Sequence, residues 1–414
     1  MTGASGRRQP NPLLGDRGRA AGEPAPATET VRATSAQTTS SHIAARAADG
    51  SSRSLGTRLL QLCAWFSLAV AVAAWTMLRW GTDRWSWATV LAYMPRWLWA
   101  APLTLLIPAT LVRPRRFWLP TSLTSLWVAW PLMGLCLSWP ASGQSGPPSS
   151  ALASDGLTVR VLTCNVGLVG FDPLEMGMLV TETQPDLIAF EENVSAEELS
   201  AAVGPDWHVS AVPGIVVASR WPIVDSERLT WPTAYGARTV AHRVRCRVPA
   251  VLPHESETLA EETLNPRPGA DLGEQELDFV AVHFYSPRKG LEAVKNHHPD
   301  ATDQVDYNTE LRSAESTKVR RWIDKLSGPL IVAGDLNMPP ESNLFRRDWS
   351  RFTDAFVAAG CGYGYTYGYT TSGWFYGIRI DHILADAGWR VERCWVGRHV
   401  GSDHRPVVAE LLRR

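Results

Sequence analysis

The chain has 414 residues, of which 45% are hydrophobic and 20% are charged, and its formal net charge is −1. This composition excludes a wholly disordered chain and leaves room for more than one ordinary domain. The charge is unevenly divided, since residues 1–150 hold 14 arginines, no lysine and 5 acidic residues, whereas residues 151–414 hold 26 basic and 36 acidic residues. Nucleic acid stays possible as a partner, but the acidic second part does not favour it, because such binding needs a basic face.

The first third of the chain predicts a tail followed by a membrane anchor. Residues 1–58 are rich in Ala, Ser, Thr, Gly and Pro, a composition that predicts a disordered tail. Residues 59–78 are apolar and uncharged over a length that can cross a bilayer as a helix, and they lie too far from Met1 for a cleavable signal peptide. Two further transmembrane helices are predicted at about 92–112 and 117–139.

Aromatic and basic residues predict how this anchor is oriented. Eleven of the 19 tryptophans lie between Trp65 and Trp139, as expected of side chains at a membrane–water interface. Arg113, Arg115 and Arg116 separate the second and third runs, and such clusters favour the cytoplasmic side. With three spans we expect a multi-pass protein of the plasma (inner) membrane whose C-terminal part is extracytoplasmic. If the middle segment does not cross, that part is cytoplasmic. A buried soluble hairpin fits these long runs less well.

Residues 140–156 are dominated by Ser, Gly and Pro and predict a flexible linker. From 157 to 414, short β-branched runs alternate with helical stretches, the pattern of an α/β or α+β domain. The predicted strands are Leu157–Cys164, Asp186–Phe190, Ile215–Ser219, Arg238–Val248, Asp278–His283, Leu330–Ala333, Ile380–Ala385 and Val407–Leu411. The predicted helices are Pro173–Thr183 and Thr309–Leu326. Pro249–Glu276, an acidic insertion whose role stays open, and Ser286–Tyr307 are predicted to be irregular.

Polar residues stand where the predicted strands end. They are Asn165, Glu192, His283, Asp335 with Asn337, Asp381, and Asp403 with His404 near the C-terminus. Carboxylate and amide oxygens suit a hard cation such as Mg²⁺ or Mn²⁺, which can neutralise the charge of a phosphate and activate water. Histidines can hold or protonate the ester oxygens. The set therefore predicts metal-dependent hydrolysis of a phosphate ester.

The same residues carry a family resemblance that covers about Val159 to Leu412. The motifs are Val-Leu-Thr-Cys-Asn at 161–165, Pro-Asp-Leu-Ile-Ala-Phe-Glu-Glu at 185–192, Ser-Arg-Trp-Pro-Ile at 219–223, Gly-Asp-Leu-Asn at 334–337, Arg-Ile-Asp-His-Ile-Leu at 379–384 and Ser-Asp-His at 402–404. In this order they resemble the endonuclease/exonuclease/phosphatase superfamily, which is DNase I-like. The chain resembles a membrane-anchored bacterial-type member. The resemblance implies a four-layer sandwich of two β-sheets flanked by helices, preceded by about three transmembrane helices.

The resemblance and the residue chemistry together imply a role for each site residue. Glu192 would bind the divalent cation, with Asn165 and Asp403 also placed at the metal. Asp335 would orient or deprotonate the attacking water. Roles are also implied for four further residues: Asn337 contacts the phosphate, His283 and His404 stabilise charge or act as acid and base, and Asp381 orients His404. Which histidine donates the proton stays open.

For some residues near these motifs, a structural role competes with a functional one. Glu191 stands where the family often has glutamine, and this second carboxylate could add a metal contact or face solvent. We favour solvent, because neighbouring residues in a strand point oppositely. Cys164 is predicted to be a core residue. The Tyr-Gly run at 363–369 is equally consistent with a substrate platform and with irregular structure. The pair His297 and His298 could bind a metal or a headgroup, but we favour a solvated loop.

Three functions are consistent with these patterns. The favoured one is an active membrane-tethered phosphoesterase that hydrolyses a phosphodiester or a phosphomonoester, either nuclease-like or a lipid or headgroup phosphodiesterase. The alternatives are a catalytically silent binding module on the same fold and a membrane scaffold that binds a partner through residues 249–276. No motif distinguishes DNA, RNA, phospholipid, inositol phosphate or a small phosphodiester as the substrate, and no pattern indicates an oligomeric state.

Overall fold

The computed structural model describes residues 30–138, 157–167, 170–192, 195–234, 236–249, 274–369 and 375–414. The predicted linker at 140–156 lies outside the described residues, as do residues 1–29 of the predicted tail and residues 250–273 of the acidic insertion. Contacts between Cα atoms divide the chain into Met1–Leu62 and Cys63–Arg414.

The described chain begins with helices. They are α1 (Thr30–Gly81), α2 (Ser86–Ala92), a 3-10 helix (Arg96–Ala100), α3 (Leu103–Val112), α4 (Pro114–Trp127) and a π-helix (Val128–Leu132), followed by a short strand β1 (Cys136–Leu137). Helix α1 begins at Thr30, so it overlaps the segment 1–58 that composition predicts to be a tail. Among the described residues, Leu55–Gly81 is the one single helix long and apolar enough to cross a membrane.

The other two apolar runs do not form straight helices. Helix α2 and the helical segment Arg96–Val112 meet at an angle of 87°, and they make a second membrane-length unit only if the bent pair is counted as one. The run at 117–139 ends its helical part at Leu132, after Pro131, and continues into strand β1. Prolines inside these segments remove backbone N–H donors and bend or end helices, which explains the difference from the predicted 92–112 and 117–139 helices.

Two six-stranded sheets form the C-terminal domain. The elements between residues 157 and 300 are β2 (Thr158–Asn165), α5 (Pro173–Thr183), β3 (Leu187–Glu191), α6 (Ala196–Val203), β4 (His208–Val212), β5 (Ile215–Ser219), β6 (Ile223–Thr233), β7 (Gly236–Pro249), β8 (Glu274–His283) and α7 (Arg288–Lys295). The later elements are α8 (Ala301–Ile323), β9 (Leu330–Asp335), α9 (Asn343–Trp349), β10 (Thr353–Asp354), α10 (Ala355–Ala359), β11 (Cys361–Gly362), β12 (Tyr367–Tyr369), β13 (Phe375–Ile378), β14 (Asp381–Ala385), β15 (Trp389–Val396) and β16 (Val407–Arg413). One sheet has the order β15-β16-β2-β3-β5-β4 and the other β10-β14-β9-β8-β7-β6.

Apolar side chains arrange these elements in four layers. One buried cluster, which includes Val161 and Phe279, fills the space between the two sheets. On the outer face of the first sheet, Leu179 of α5 and Leu199 of α6 pack with strand residues, and on the outer face of the second sheet Val319 of α8 does the same. Burial of both faces explains why β3, β5, β9 and β14 are buried along their whole length. The predicted two-sheet sandwich flanked by helices is confirmed.

The predicted irregular segment Ser286–Tyr307 is largely helical, because α7 and the start of α8 occupy it. The segment is mostly polar, but it has a narrow apolar face that includes the buried residues Ala293 and Val305. Gly290 allows the two helices to approach, since a Cβ at this position would lie 2.8 Å from the Cα of Val305. A single close contact of this kind is not visible as a sequence period.

The helical N-terminal segment is fastened to the C-terminal domain by buried polar contacts. Asp83 lies 3.7 Å from the guanidinium of Arg312, and both side chains are almost fully buried. Asp83 also accepts hydrogen bonds from the Ser342 hydroxyl and the Leu344 backbone N–H. Strand β1 pairs with β11 in an antiparallel bridge. These contacts make the segment around α2 a structural part of the domain.

Two more contacts reach the loop that follows β9. The Tyr93 hydroxyl donates a hydrogen bond of 2.7 Å to the backbone carbonyl of Asn337. The Arg96 guanidinium is buried and donates to both carboxylate oxygens of Glu341 at 3.2 Å, and to the carbonyls of Ala92 and Leu132. The loop that carries Asn337 is therefore held from outside the sandwich.

Candidate active site

The carboxyl ends of two parallel strand pairs meet at one rim of the sandwich. In the first sheet Asn165, the last residue of β2, lies opposite Glu191 of β3, and in the second sheet His283 of β8 lies opposite Asp335 of β9. Asp381 opens β14 and lies opposite Asp335 in antiparallel register. Parallel strands end at the same edge of a sheet, so the predicted polar residues at strand ends come together at this rim.

Glycine is required at one position beneath the site. Gly334 has a φ of +138°, and a Cβ there would lie 2.1 Å from the carbonyl oxygen of Val282. A side chain at 334 would therefore separate β8 from β9 just below His283 and Asp335.

An amide and two carboxylates form the centre of the site. The Asn165 side-chain N–H₂ donates to Glu192 Oε1 and to Asp335 Oδ2, each at 3.0 Å. Asp335 also accepts hydrogen bonds from the backbone N–H of Asn337 at 2.8 Å and from its side chain at 2.9 Å. Glu192 and Asn337 both have positive φ, at 72° and 51°, a conformation that re-aims their side chains immediately after a strand. Burial, with the neighbouring charge of Asp381, raises the pKa of Asp335 to about 7.

The two histidines have opposite electrostatic environments. His404 Nδ1 donates to Asp381 at 2.9 Å, which orients the ring as the sequence predicts. Burial opposes the charged form of His404, but the charge and hydrogen bond of Asp381, together with the charges of Asp335 and Asp403, outweigh it and raise the pKa of His404 to about 10. Burial and the cation Arg238 lower the pKa of His283 to about 3. His404 is thus arranged to carry a proton, and His283 is arranged to be neutral.

All eight predicted site residues reach this rim. Asn165, Asp335, Asn337, Asp381 and His404 are buried, whereas the other three are partly exposed. His283 Nε2 lies 3.6 Å from Glu192 Oε1 and 3.9 Å from Asp335 Oδ2. Asp403 lies outermost, 3.4 Å from the guanidinium of Arg288. The site is therefore buried at its floor and opens to solvent at the side formed by Glu192, His283 and Asp403, which is called the mouth.

Glu191 is buried and does not face solvent, so the prediction for this residue is wrong. β3 is a central strand that is covered on both faces, and Glu191 accepts a hydrogen bond of 3.0 Å from the Thr163 hydroxyl. Its other carboxylate oxygen has no hydrogen-bond partner among the described residues. Burial raises the pKa of Glu191 well above its usual range. The expectation failed because alternation does not point a residue to solvent when both faces of the sheet are covered.

Two further residues stand at the mouth, and one of them, Arg288, was not identified from the sequence. Arg288 opens α7 in a segment without a motif, and its side chain stands beside Asp403. Tyr367, from the Tyr-Gly run, packs its ring 4.8 Å from the His404 ring. The run thus contributes one aromatic residue to the site. His297 and His298 are exposed, and Cys164 is buried in the core.

The site offers two sets of donors for a metal ion. Donor atoms of Asp335, Asp381 and His404 lie within 4.8 Å of one another. His404 Nδ1, however, is bonded to Asp381. We therefore favour the oxygens of Glu192 and Asp335, which the Asn165 amide brings together and which a hard cation prefers. Burial, followed by the charge of Asp381, raises the pKa of Asp335, and a divalent cation at this position would compensate the charges of both carboxylates.

Comparison with known proteins found a matching family model and similar solved structures. The model of the endonuclease/exonuclease/phosphatase family matches residues 162–404. No curated protein sequence matches the chain. Similar solved structures include an endonuclease/exonuclease/phosphatase family protein from Bacteroides thetaiotaomicron, with 14% identity, coverage of 63% of this chain and 99% of that chain, and a TM-score of 0.44. A 3′ phosphatase from Neisseria bound to a product DNA hairpin has 16% identity, coverage of 61% and 98%, and a TM-score of 0.42.

Proposed function

Since the chain belongs to the endonuclease/exonuclease/phosphatase family, a family of phosphoester hydrolases, we propose that it is a membrane-tethered phosphoesterase that requires Mg²⁺ or Mn²⁺. The observation that carries this proposal is the Asn165 amide, which joins Glu192 and Asp335 at the mouth of a buried acidic site. Among the described residues, Glu192 and Asp335 lie within ion-pair distance of His283 alone, which leaves their charge available to a metal ion.

Each site residue has its own role in the proposed hydrolysis. Glu192 and Asp335 would hold the divalent cation, which supplies charge neutralisation to the phosphate when bound. Asp335 would orient the attacking water and accept its proton, because its carboxylate lies buried beside the position of the cation. Protonated His404, oriented by Asp381, donates a hydrogen bond to a phosphate oxygen. The Asn337 side chain donates to Asp335 and to the carbonyl of Phe284, so it holds Asp335 in place instead of contacting the phosphate. Neutral His283 lies beside Glu192 and can donate a further hydrogen bond.

Exposed apolar side chains support the membrane attachment. Leu55–Gly81 meets the length and polarity of a span, and Phe66, Leu111 and Trp130 are each more than 60% exposed. Water-exposed apolar surface on this scale is unfavourable unless another phase covers it. Arg113, Arg115 and Arg116 lie at the turn between α3 and α4 and favour a cytoplasmic position for that turn. The catalytic domain, which contacts the opposite end of α1, would then be extracytoplasmic at the plasma membrane.

The test is hydrolysis by the full chain in detergent, with Mg²⁺, Mn²⁺ or EDTA. The substrates are plasmid DNA, sphingomyelin, a phosphoinositide and bis-p-nitrophenyl phosphate. We expect EDTA to abolish hydrolysis, and Glu192→Gln to raise the metal concentration for half-maximal rate by about tenfold to a hundredfold. The matched control is Glu197→Gln, an exposed residue of α6. Hydrolysis that survives EDTA contradicts the metal requirement, and hydrolysis of no ester by the wild type favours a silent binding module.

Arg288→Ala is expected to raise KM by about tenfold with a smaller change in kcat, because a partly exposed guanidinium at the mouth binds the substrate anion before and during the reaction. Steady-state kinetics, on whichever ester of the panel the wild type hydrolyses, checks this. Lys289→Ala removes a neighbouring exposed charge and should leave KM within about twofold. An equal effect of the two variants would mean that only the overall charge of α7 matters.

A further inference from the structure

A second large concave surface lies away from the catalytic rim. This groove has a volume of about 1250 Å³ and is formed by α8, α9, the outer strand β6 and the turn that follows α1. Its walls carry six basic residues, which are Arg84, Lys318, Arg321, Lys325, Arg346 and Arg347. Only Asp83 and Glu310 among its lining residues are acidic. The groove is therefore strongly basic, although residues 151–414 as a whole are acidic.

Most of these cations have no carboxylate partner among the described residues. Arg84, Arg321 and Lys325 are exposed and make no ion pair in the described part of the chain. Asp83 does not neutralise them, because its carboxylate pairs with Arg312. The Arg346 guanidinium donates to the backbone carbonyls of Glu341 and Arg79. Burial, followed by repulsion from Arg79, lowers the pKa of Arg346 to about 10. An anion in the groove would relieve this repulsion.

Aromatic side chains surround the basic groups. Lys318 lies 5.5 Å from the centre of the Trp231 ring and donates to the carbonyl of Thr230. Trp322 also lines the groove. Indole rings give a bound molecule apolar contact while leaving the cations available, so the surface suits an amphiphilic anion better than a small inorganic ion.

The groove begins where the apolar helix ends. Arg84 follows Gly81, the last residue of α1, and Asn343 in the groove donates to the carbonyls of Trp80 and Thr82. Trp80, Trp85 and Trp87 are each more than half exposed beside it. Exposed indoles at the end of an apolar helix are characteristic of the headgroup level of a bilayer, and basic residues at that level attract anionic lipids.

From this arrangement we infer that the groove binds the phosphate headgroup of an anionic phospholipid, apart from the catalytic site. The inference rests on the proposed membrane attachment and not on the proposed hydrolysis. Arg321 and Lys325, which are four residues apart at the end of α8, contact the headgroup phosphate, Arg84 adds to the positive charge of the groove, and the indoles contact the glycerol and upper acyl carbons. The groove would then hold a lipid as a ligand, with no bond made or broken.

The test is lipid binding by the full chain in a non-ionic detergent with EDTA, so that no hydrolysis is needed. Short-chain phosphatidylglycerol, phosphatidylcholine of the same chain length, and pyrophosphate are titrated separately and followed by microscale thermophoresis. We expect phosphatidylglycerol to bind at least about tenfold more tightly than phosphatidylcholine, and raised salt to weaken it. The double variant Arg321→Glu/Lys325→Glu should lower the affinity for phosphatidylglycerol by at least about thirtyfold.

A charge-matched control separates the groove from the overall charge. Lys295→Glu/Arg414→Glu changes two exposed basic residues outside the groove and should alter affinity by less than about twofold. Equal binding of the two lipids, or equal loss in both double variants, overturns the inference. Tight binding of pyrophosphate without a preference between the lipids also overturns it, in favour of a soluble phosphate ligand. Hydrolysis measured separately in Mg²⁺ shows whether the catalytic proposal stands or fails independently.

Discussion

Replacing Asp335 by alanine is expected to lower the hydrolysis rate by at least about a thousandfold, because the variant loses both the base and a metal ligand. The fold should survive. Asn165 keeps Glu192 as an acceptor, and Asn337 keeps the carbonyl of Phe284. Removing one of two adjacent buried carboxylates also removes repulsion with Asp381. The measurements are turnover of the full chain with saturating Mg²⁺ and its thermal unfolding.

His404→Ala tests the same site from its other side and should also abolish turnover, since it removes the charge that Asp381 orients. The controls are Asp303→Ala and His297→Ala, which change the same residue types at exposed positions. An unchanged rate in either site variant would show that the rim is not the catalytic centre. Loss of rate in His297→Ala as well would point to general damage and not to the site.

Asp83→Ala is expected to cause the largest loss of stability, about 3–5 kcal/mol, because it leaves the buried guanidinium of Arg312 without its charge partner. It also removes the acceptor of two hydrogen bonds, from Ser342 and Leu344, at the start of α9. The matched control is Asp306→Ala, whose carboxylate accepts a hydrogen bond from Ser86 in an exposed part of the same interface. We expect the control to cost less than about 1 kcal/mol.

Thermal unfolding of the full chain, followed by circular dichroism in detergent, checks this difference. Equal melting temperatures for the two variants would mean that the contact between the helical segment and the domain does not stabilise the fold. The expected result has a practical consequence for fragments. Residues 151–414 alone lack Asp83, Tyr93 and Arg96, so Arg312 and Glu341 would lose their partners. Activity is therefore best measured on the full chain.

The sequence predicts the parts of this protein that depend on local pattern. Helix α5 and strand β5 have the predicted bounds, Pro173–Thr183 and Ile215–Ser219, because an Asp172 cap or a continuous apolar run marks them. The site residues are predictable because each one ends or begins a strand, or belongs to a short motif. The two-sheet architecture follows from the family resemblance that those motifs carry.

What the sequence does not predict depends on contacts between distant residues. Arg288 reaches the site only because α7 packs on α8, and the burial of Glu191 depends on strands on both sides of β3. The helices predicted at 92–112 and 117–139 are interrupted where Pro95 separates α2 from the next helical segment and where the last helix ends after Pro131, whereas Pro108 and Pro120 lie inside continuous helices. The docking of Asp83 on Arg312 has no sequence signal, because a single charged residue between apolar runs normally indicates a solvated loop.

The attachment of the helical segment also determines how freely the catalytic domain can turn. Tyr93, Arg96 and the β1–β11 bridge fix it at three places that do not lie on one element. Three such points leave a rigid body no axis about which to rotate. The rim with Asp335 and His404 therefore keeps one direction relative to α2 and to the Cys63–Gly81 part of α1, and this direction determines the side from which a substrate approaches.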